Sequence, residues 1–191
     1  MNGLYALKPW YASRLAGVRG VLVRRGISPD ALTAAGVVCA AGAAAALALL
    51  PAPLAALPVA VLLAARLACA NLDGAVARDT GRTGPRGALN NELGDRAADL
   101  LMLAGFLTLA PLWLVAVAGL AATLPSWVSL AGAAAGAPRL NGGPVGKTER
   151  CLLAVVAAAG GWAVPVLAVL AAGSALTALL RLARLRTELA R

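Results

Sequence analysis

Charges in this chain come in clusters, and long apolar runs lie between them. From Ala31 to Leu50 no residue is charged. That length crosses a hydrocarbon core of ~30 Å at ~1.5 Å rise per residue. A secretory signal would have an apolar region of ~7–15 residues behind a short basic segment. Here the run follows a longer amphipathic stretch and reads as a permanent span. A second span is predicted from about Leu54 to Leu72, after "PAP" (Pro51–Pro53), with Arg66 near its far end. Leu100 to Pro138 is uncharged and too long for one crossing, and Pro111 in "LAPLW" is the natural break. This predicts a third span ending there and a fourth from about Trp113 to Ala135. Cys151 to Leu180 is also uncharged, with "GGWAVP" (Gly160–Pro165) in its middle.

The distribution of lysine and arginine decides whether that last run is one span or two. With six spans every basic cluster lies on one side: Lys8–Arg25, Arg66–Arg96, Arg139–Arg150 and Arg181–Arg191. The opposite-side connections carry no charge. Five spans would expose the C-terminal arginines on the other face. The expected fold is therefore all-α: a polytopic integral membrane protein of six transmembrane helices with both termini cytoplasmic. An N-terminal amphipathic juxtamembrane segment (1–30) precedes the six-span membrane domain (31–191). Within that segment, Lys8–Gly26 mixes basic residues with Trp10, Tyr11, Leu15 and Val18 and reads as a helix lying in the interface. Gly26 closes it, and Ser28-Pro29-Asp30 opens the first span with a cap and a first-turn proline.

Composition strengthens this reading. Of 191 residues, 61% are hydrophobic and 13% are charged, against about 25% charged in soluble domains. The sequence has no histidine, which excludes imidazole catalysis and histidine metal ligands. Cys39, Cys69 and Cys151 are scattered in apolar surroundings and read as small core residues rather than a metal or disulfide set. The net charge of +9 calls for no nucleic acid partner, because topology and anionic head groups account for it.

One stretch, residues 71–99, gathers the chemistry. Asp73 falls at the cytoplasmic end of span two. Asn91, Asp95 and Asp99 recur every four residues and share one helix face, with Glu92 beside them. Carboxylates in a membrane are costly unless they meet a cavity, a partner or a metal. Oxygen donors without His or Cys favour Mg²⁺ or Mn²⁺. The competing reading is a set of salt bridges to Arg78, Arg82, Arg86 and Arg96, which suits Asp79 well and Asp99, deep in its span, poorly.

Asp73-Gly74-x-x-Ala77-Arg78, eight residues, then Gly87-x-x-x-Asn91-x-x-x-Asp95 resembles the signature of the CDP-alcohol phosphatidyltransferases. The family pattern is D-x-x-D-G-x-x-A-R followed by G-x-x-x-D-x-x-x-D. "ISPDALTAAGVV" (Ile27–Val38) is similar to the family's opening of span one. Two acids depart from the pattern, since Ala70 and Asn91 stand where it has aspartates. "NNELGDRAAD" (Asn90–Asp99) looks like a variant branch, with Glu92 and Asp99 as substitute ligands. The resemblance implies a phospholipid-synthesis enzyme: a phosphatidyl group passes from a CDP-linked lipid to an alcohol acceptor and CMP leaves. It implies Asp95 as base and Mg²⁺ or Mn²⁺ held by Asp73, Asn91, Asp95, Asp99 and Glu92. Gly74, Ala77, Arg78 and Gly87 would bind the nucleotide donor; a snorkelling role fits Arg78 equally. A homodimer is implied as well.

Ala137–Cys151 is the other loop rich in polar groups. Arg139, Lys147 and Arg150 are candidate acceptor contacts there, and an ordinary positive-inside loop is the alternative. Arg66, two helical turns before Asp73, is expected to pair with an acid or a substrate phosphate. A catalytically impaired relative that binds lipid or nucleotide is a second reading, motivated by Ala70 and Asn91. A small ion-coupled transporter is a third, weakened because the acids cluster at one cytoplasmic edge. Alanine content and short loops suggest a bacterial cytoplasmic membrane, with the site on its cytoplasmic side.

Overall fold

A computed structural model describes Leu4 and residues 8–190. Two short helices, α1 (Lys8–Arg14) and α2 (Ala16–Arg24), precede six longer ones. These are α3 (Pro29–Leu49), α4 (Ala56–Asp79), α5 (Pro85–Ala104), α6 (Leu112–Ala134), α7 (Lys147–Gly160) and α8 (Ala163–Leu189). Among the described residues there is no strand.

The boundaries follow local chemistry. Ser28 caps α3 by accepting from the Ala31 amide at 3.1 Å, with Pro29 in the first turn. Pro111 precedes α6. The apolar run after Cys151 is divided where expected: Gly161 adopts φ 69° between α7 and α8, a conformation that favours glycine. The expected single N-terminal helix is divided at Leu15 into α1 and α2, and Gly26 at φ 67° ends the second. Leu15, Leu22, Val23 and Ile27 pack onto Leu32, Leu72 and Val76, so this segment sits against the ends of α3 and α4.

Among the described residues four helices, α3, α4, α6 and α8, are long and apolar enough to cross a membrane. The other two long helices differ for visible reasons. The first half of α5 carries the polar stretch, and α7 has 14 residues. Many large apolar side chains face outward, among them Leu57, Trp113, Leu120 and Leu179. Such a surface suits lipid rather than water.

In the interior, α3 packs against both α4 and α5, α7 against α4, and α6 against α8. Small residues set these approaches. A Cβ on Gly94 would lie 2.3 Å from Thr33 Cγ2, and one on Gly105 would lie 2.8 Å from the Ala44 backbone, so α5 rests directly on α3. A larger apolar core joins Val59, Leu63, Met102, Phe106, Ala118, Ala154 and Leu167 deeper in the bundle. The polar residues of α4, α5 and α7 lie together at the opposite end from the Pro51–Pro53 turn.

Candidate active site

Two clefts flank the first half of α5. One, of about 320 Å³, lies between the start of α3, the end of α4 and the start of α5. Asp30, Thr33, Asp73, Gly74, Ala77, Arg78, Gly87 and Asn91 line it. The other, of about 410 Å³, lies between α5, α6, the loop before α7, and α8. Asn91, Glu92, Asp95, Ser129, Arg139, Asn141, Lys147 and Arg181 are among its walls. Ala88 and Asn91 belong to both. A small void between them is walled by Ala70, Asp73 and Asp95, so the alanine and the two carboxylates share one space.

Each acid in this region has its own partner. Asp73 is 3% exposed and lies in α4 facing α3. It accepts from Thr33 Oγ1 at 3.1 Å through Oδ2 and from the Gly74 amide at 2.5 Å through Oδ1. Its charge interacts with those of Asp95 and Lys147. Asp95 accepts from Lys147 Nζ through Oδ2. Glu92 pairs with Arg139, and with Arg96 at 3.3 Å. Asp99 binds Arg66 at 2.5 Å through Oδ1, and Arg150 at 2.6 Å and Arg96 at 3.4 Å through Oδ2.

Asp99, Arg66 and Arg150 form one buried cluster. Their side chains are 2%, 1% and 4% exposed, and both oxygens of Asp99 are taken by guanidinium groups. Asp99 is thus the anion of a buried ion cluster joining α4, α5 and α7, and it offers no open oxygen to a metal. Arg66 does pair with an acid as expected, yet with Asp99, and it also donates to Cys151 Sγ at 3.2 Å. Arg150 borders the larger cleft but spends its charge on Asp99. Asp79 forms its salt bridge with Arg19 of α2 at 3.1 Å, not with the loop arginines.

The remaining expected residues do converge. Gly74, Ala77, Arg78 and Gly87 line the smaller cleft, where a Cβ on Gly74 would sit 3.4 Å from Arg78 Nη1. Arg139 and Lys147 line the larger one. Sequence reasoning missed Thr33, Asp30, Ser129, Asn141 and Arg181. Thr33 and Asp30 were visible as polar residues in the first turns of an otherwise apolar span. Arg181 counted only as topology. It donates to the Gly142 carbonyl at 2.9 Å and the Pro125 carbonyl at 2.8 Å, tying the loop before α7 to α6. Thr177 accepts from the Val145 amide at 3.0 Å, and Gly143, at φ 134°, leaves no room for a Cβ beside it. The loop that delivers Lys147 is therefore braced from α8.

Does this donor set suit a divalent cation? Among the described residues no three His, Cys, Asp or Glu side chains gather at one point. Asp73 and Asn91 line the smaller cleft, and Asn91 and Asp95 line the larger one. Mg²⁺ is commonly held by one or two carboxylates together with substrate phosphates and water. The carboxylate and amide oxygens of the smaller cleft are of the donor type that a hard cation completed by phosphate oxygens takes.

A scan against family models finds no match, and a search of curated proteins finds none. Solved structures do match. Two crystal structures of Mycobacterium tuberculosis phosphatidylinositol phosphate synthase are each 22% identical to the chain. The one in complex with manganese and citrate covers 90% of this chain and 88% of its own, with a TM-score of 0.68. The one with CDP-DAG bound covers 90% and 92%, with a TM-score of 0.69. Over nine-tenths of its length, this chain has the fold of that synthase.

Proposed function

We propose that the protein is an integral membrane enzyme that transfers a phosphatidyl group from a CDP-activated lipid to the hydroxyl of an acceptor alcohol, releasing CMP. One observation carries this reading: two clefts share Asn91, with Asp73 on one side and Asp95 on the other. A two-substrate transfer needs such an arrangement, with the donor phosphates in one cleft and the nucleophile in the next. The neighbouring fold with CDP-DAG bound supports the choice of donor.

In this reading the cleft at Gly74, Ala77, Arg78 and Gly87 takes the cytidine diphosphate. Gly74 has no Cβ, so the backbone can approach the nucleotide closely. Arg78, exposed at the rim, offers a planar fork to phosphate. A cation held by Asp73 and Asn91 would neutralise the pyrophosphate and stabilise the departing phosphate. In the second cleft the acceptor hydroxyl lies against Asp95. Lys147 occupies Oδ2, which leaves Oδ1 to take the hydroxyl proton. The hydroxyl oxygen forms a bond to the phosphorus that carries the lipid. The bond from that phosphorus to the oxygen leading to CMP breaks. Arg139, at the rim beside Glu92, is positioned for an anionic group on the acceptor.

The same reading counts α5 and α7 with the four long spans, giving six, because the charge-free connections then all lie on one face. The clefts and both termini face the cytoplasm, in a bacterial inner membrane. The homodimer implied by the family resemblance is testable by crosslinking in membranes.

The experiment is CMP release by purified protein given CDP-diacylglycerol, Mn²⁺ or Mg²⁺, and a panel of alcohols. Metal-dependent CMP release with one of them is expected. Release with none, while CDP-diacylglycerol still binds, would favour the impaired relative.

A further inference from the structure

The site can be sorted by which acids carry their own cation. Asp99 has Arg66, Arg96 and Arg150; Glu92 has Arg139 and Arg96; Asp95 has Lys147. Asp73 is held only by neutral donors, the Thr33 hydroxyl and the Gly74 amide, as are two other wall residues, Asp30, which accepts from Asn90, and Glu149, which accepts from the Leu4 and Gly146 amides; of these three only Asp73 is buried. Asp73 is nonetheless buried in a membrane-embedded helix end, where an unneutralised carboxylate is costly.

Lys147 is the unusual partner. It stands in the first turn of α7, where the exposed amides of a helix start disfavour a cation. Glu149 answers part of that field by accepting from the Gly146 amide at 2.9 Å. The braced loop still carries the ammonium across to Asp95, beside Ala70 and Asn91, the two positions where the family motif has aspartates.

We propose that Lys147 is a built-in cation that takes over one half of the metal site, so that this chain holds a single divalent ion at Asp73 and Asn91. This rests on the proposed transferase reading for the ion's purpose but not for its number. Charge bookkeeping agrees. The four acids of the motif would call for two divalent ions to reach neutrality. Here Asp73 and Asp95, offset by one ammonium, leave a single negative charge on the protein, which one divalent ion already more than balances before any substrate is counted. In this account Lys147 is a positioning residue. It fixes Asp95 and repels a second ion from that side.

The test is Mn²⁺ titration of the full chain in micelles, read by electron paramagnetic resonance and equilibrium dialysis. One Mn²⁺ per chain with a magnetically isolated spectrum is expected. Lys147→Gln should tighten Mn²⁺ binding about tenfold, because one nearby like charge is removed. Lys147→Arg, which keeps the charge and is a second check on folding, should leave it close to wild type. Two ions per chain, or a spin-coupled pair, in the unaltered protein would overturn the proposal. So would an unchanged affinity in a folded Lys147→Gln protein. CMP release is scored separately: its absence with one bound Mn²⁺ sinks the transferase reading alone, and its presence with two sinks this inference alone.

Discussion

Replacing Asp99 with asparagine separates a structural anion from a metal ligand. In the folded protein this carboxylate is 2% exposed and receives three arginines, two of them at 2.5 and 2.6 Å. Asparagine keeps the shape and removes the charge, leaving Arg66 and Arg150 buried with no anion between them. Breaking a buried pair from one side costs about 3–5 kcal/mol, since the surviving charge remains desolvated. The Nε atoms of both arginines already lack partners among the described residues, so no spare acceptor is at hand. The comparison is Glu92→Gln, whose main partner Arg139 has a side chain 51% exposed; that loss should stay within about 1 kcal/mol. Chemical denaturation in detergent, followed by tryptophan fluorescence, measures both. The reasoning fails if Asp99→Asn is as stable as the parent. It also fails if that variant folds normally but no longer binds Mn²⁺.

Other substitutions test other parts of the site. Asp95→Asn should lower the CMP-release rate by about 10²- to 10⁴-fold at unchanged stability, the usual range for losing a general base; undiminished turnover would reassign the base. Asp73→Asn should abolish Mn²⁺ binding measured by equilibrium dialysis while the protein still elutes as a folded species. Gly94→Ala should cost about 1–3 kcal/mol in the same denaturation assay, because the new methyl would meet Thr33 Cγ2 at 2.3 Å and push α5 off α3. Arg139→Ala should raise KM for a phosphorylated acceptor with little change in kcat, and leave KM for the CDP-lipid unaltered.

Much of the architecture was readable from the chain because membrane helices announce themselves by charge-free length. The breaks at Pro111 and at Gly160–Trp162, the cap at Ser28 and the close of α2 at Gly26 all lie where local chemistry puts them. The stripe Asn91, Asp95 and Asp99 also lies along α5 as its four-residue spacing requires. What spacing could not reveal is depth and the identity of the facing helix. Asp99 is one turn further in than Asp95, and there α4 and α7 contribute Arg66 and Arg150. Those partners are far away in sequence. The same holds for Lys147: its loop looks like an ordinary basic connection until Thr177 and Arg181 of α8 are seen to brace it. Helix periodicity thus identified which acids share a face, and only tertiary packing decided which of them already has a cation.

The central claim is that Asp73, Asn91 and Asp95 sit where a CDP-lipid meets an acceptor alcohol. The most direct measurement is CMP release from CDP-diacylglycerol by the purified protein, with and without Mn²⁺, across phosphorylated and neutral alcohols. The account predicts release that requires both the metal and one class of alcohol, and that disappears in Asp73→Asn. Release that persists in Asp73→Asn, or a folded protein that yields no CMP with any alcohol and metal, would contradict it.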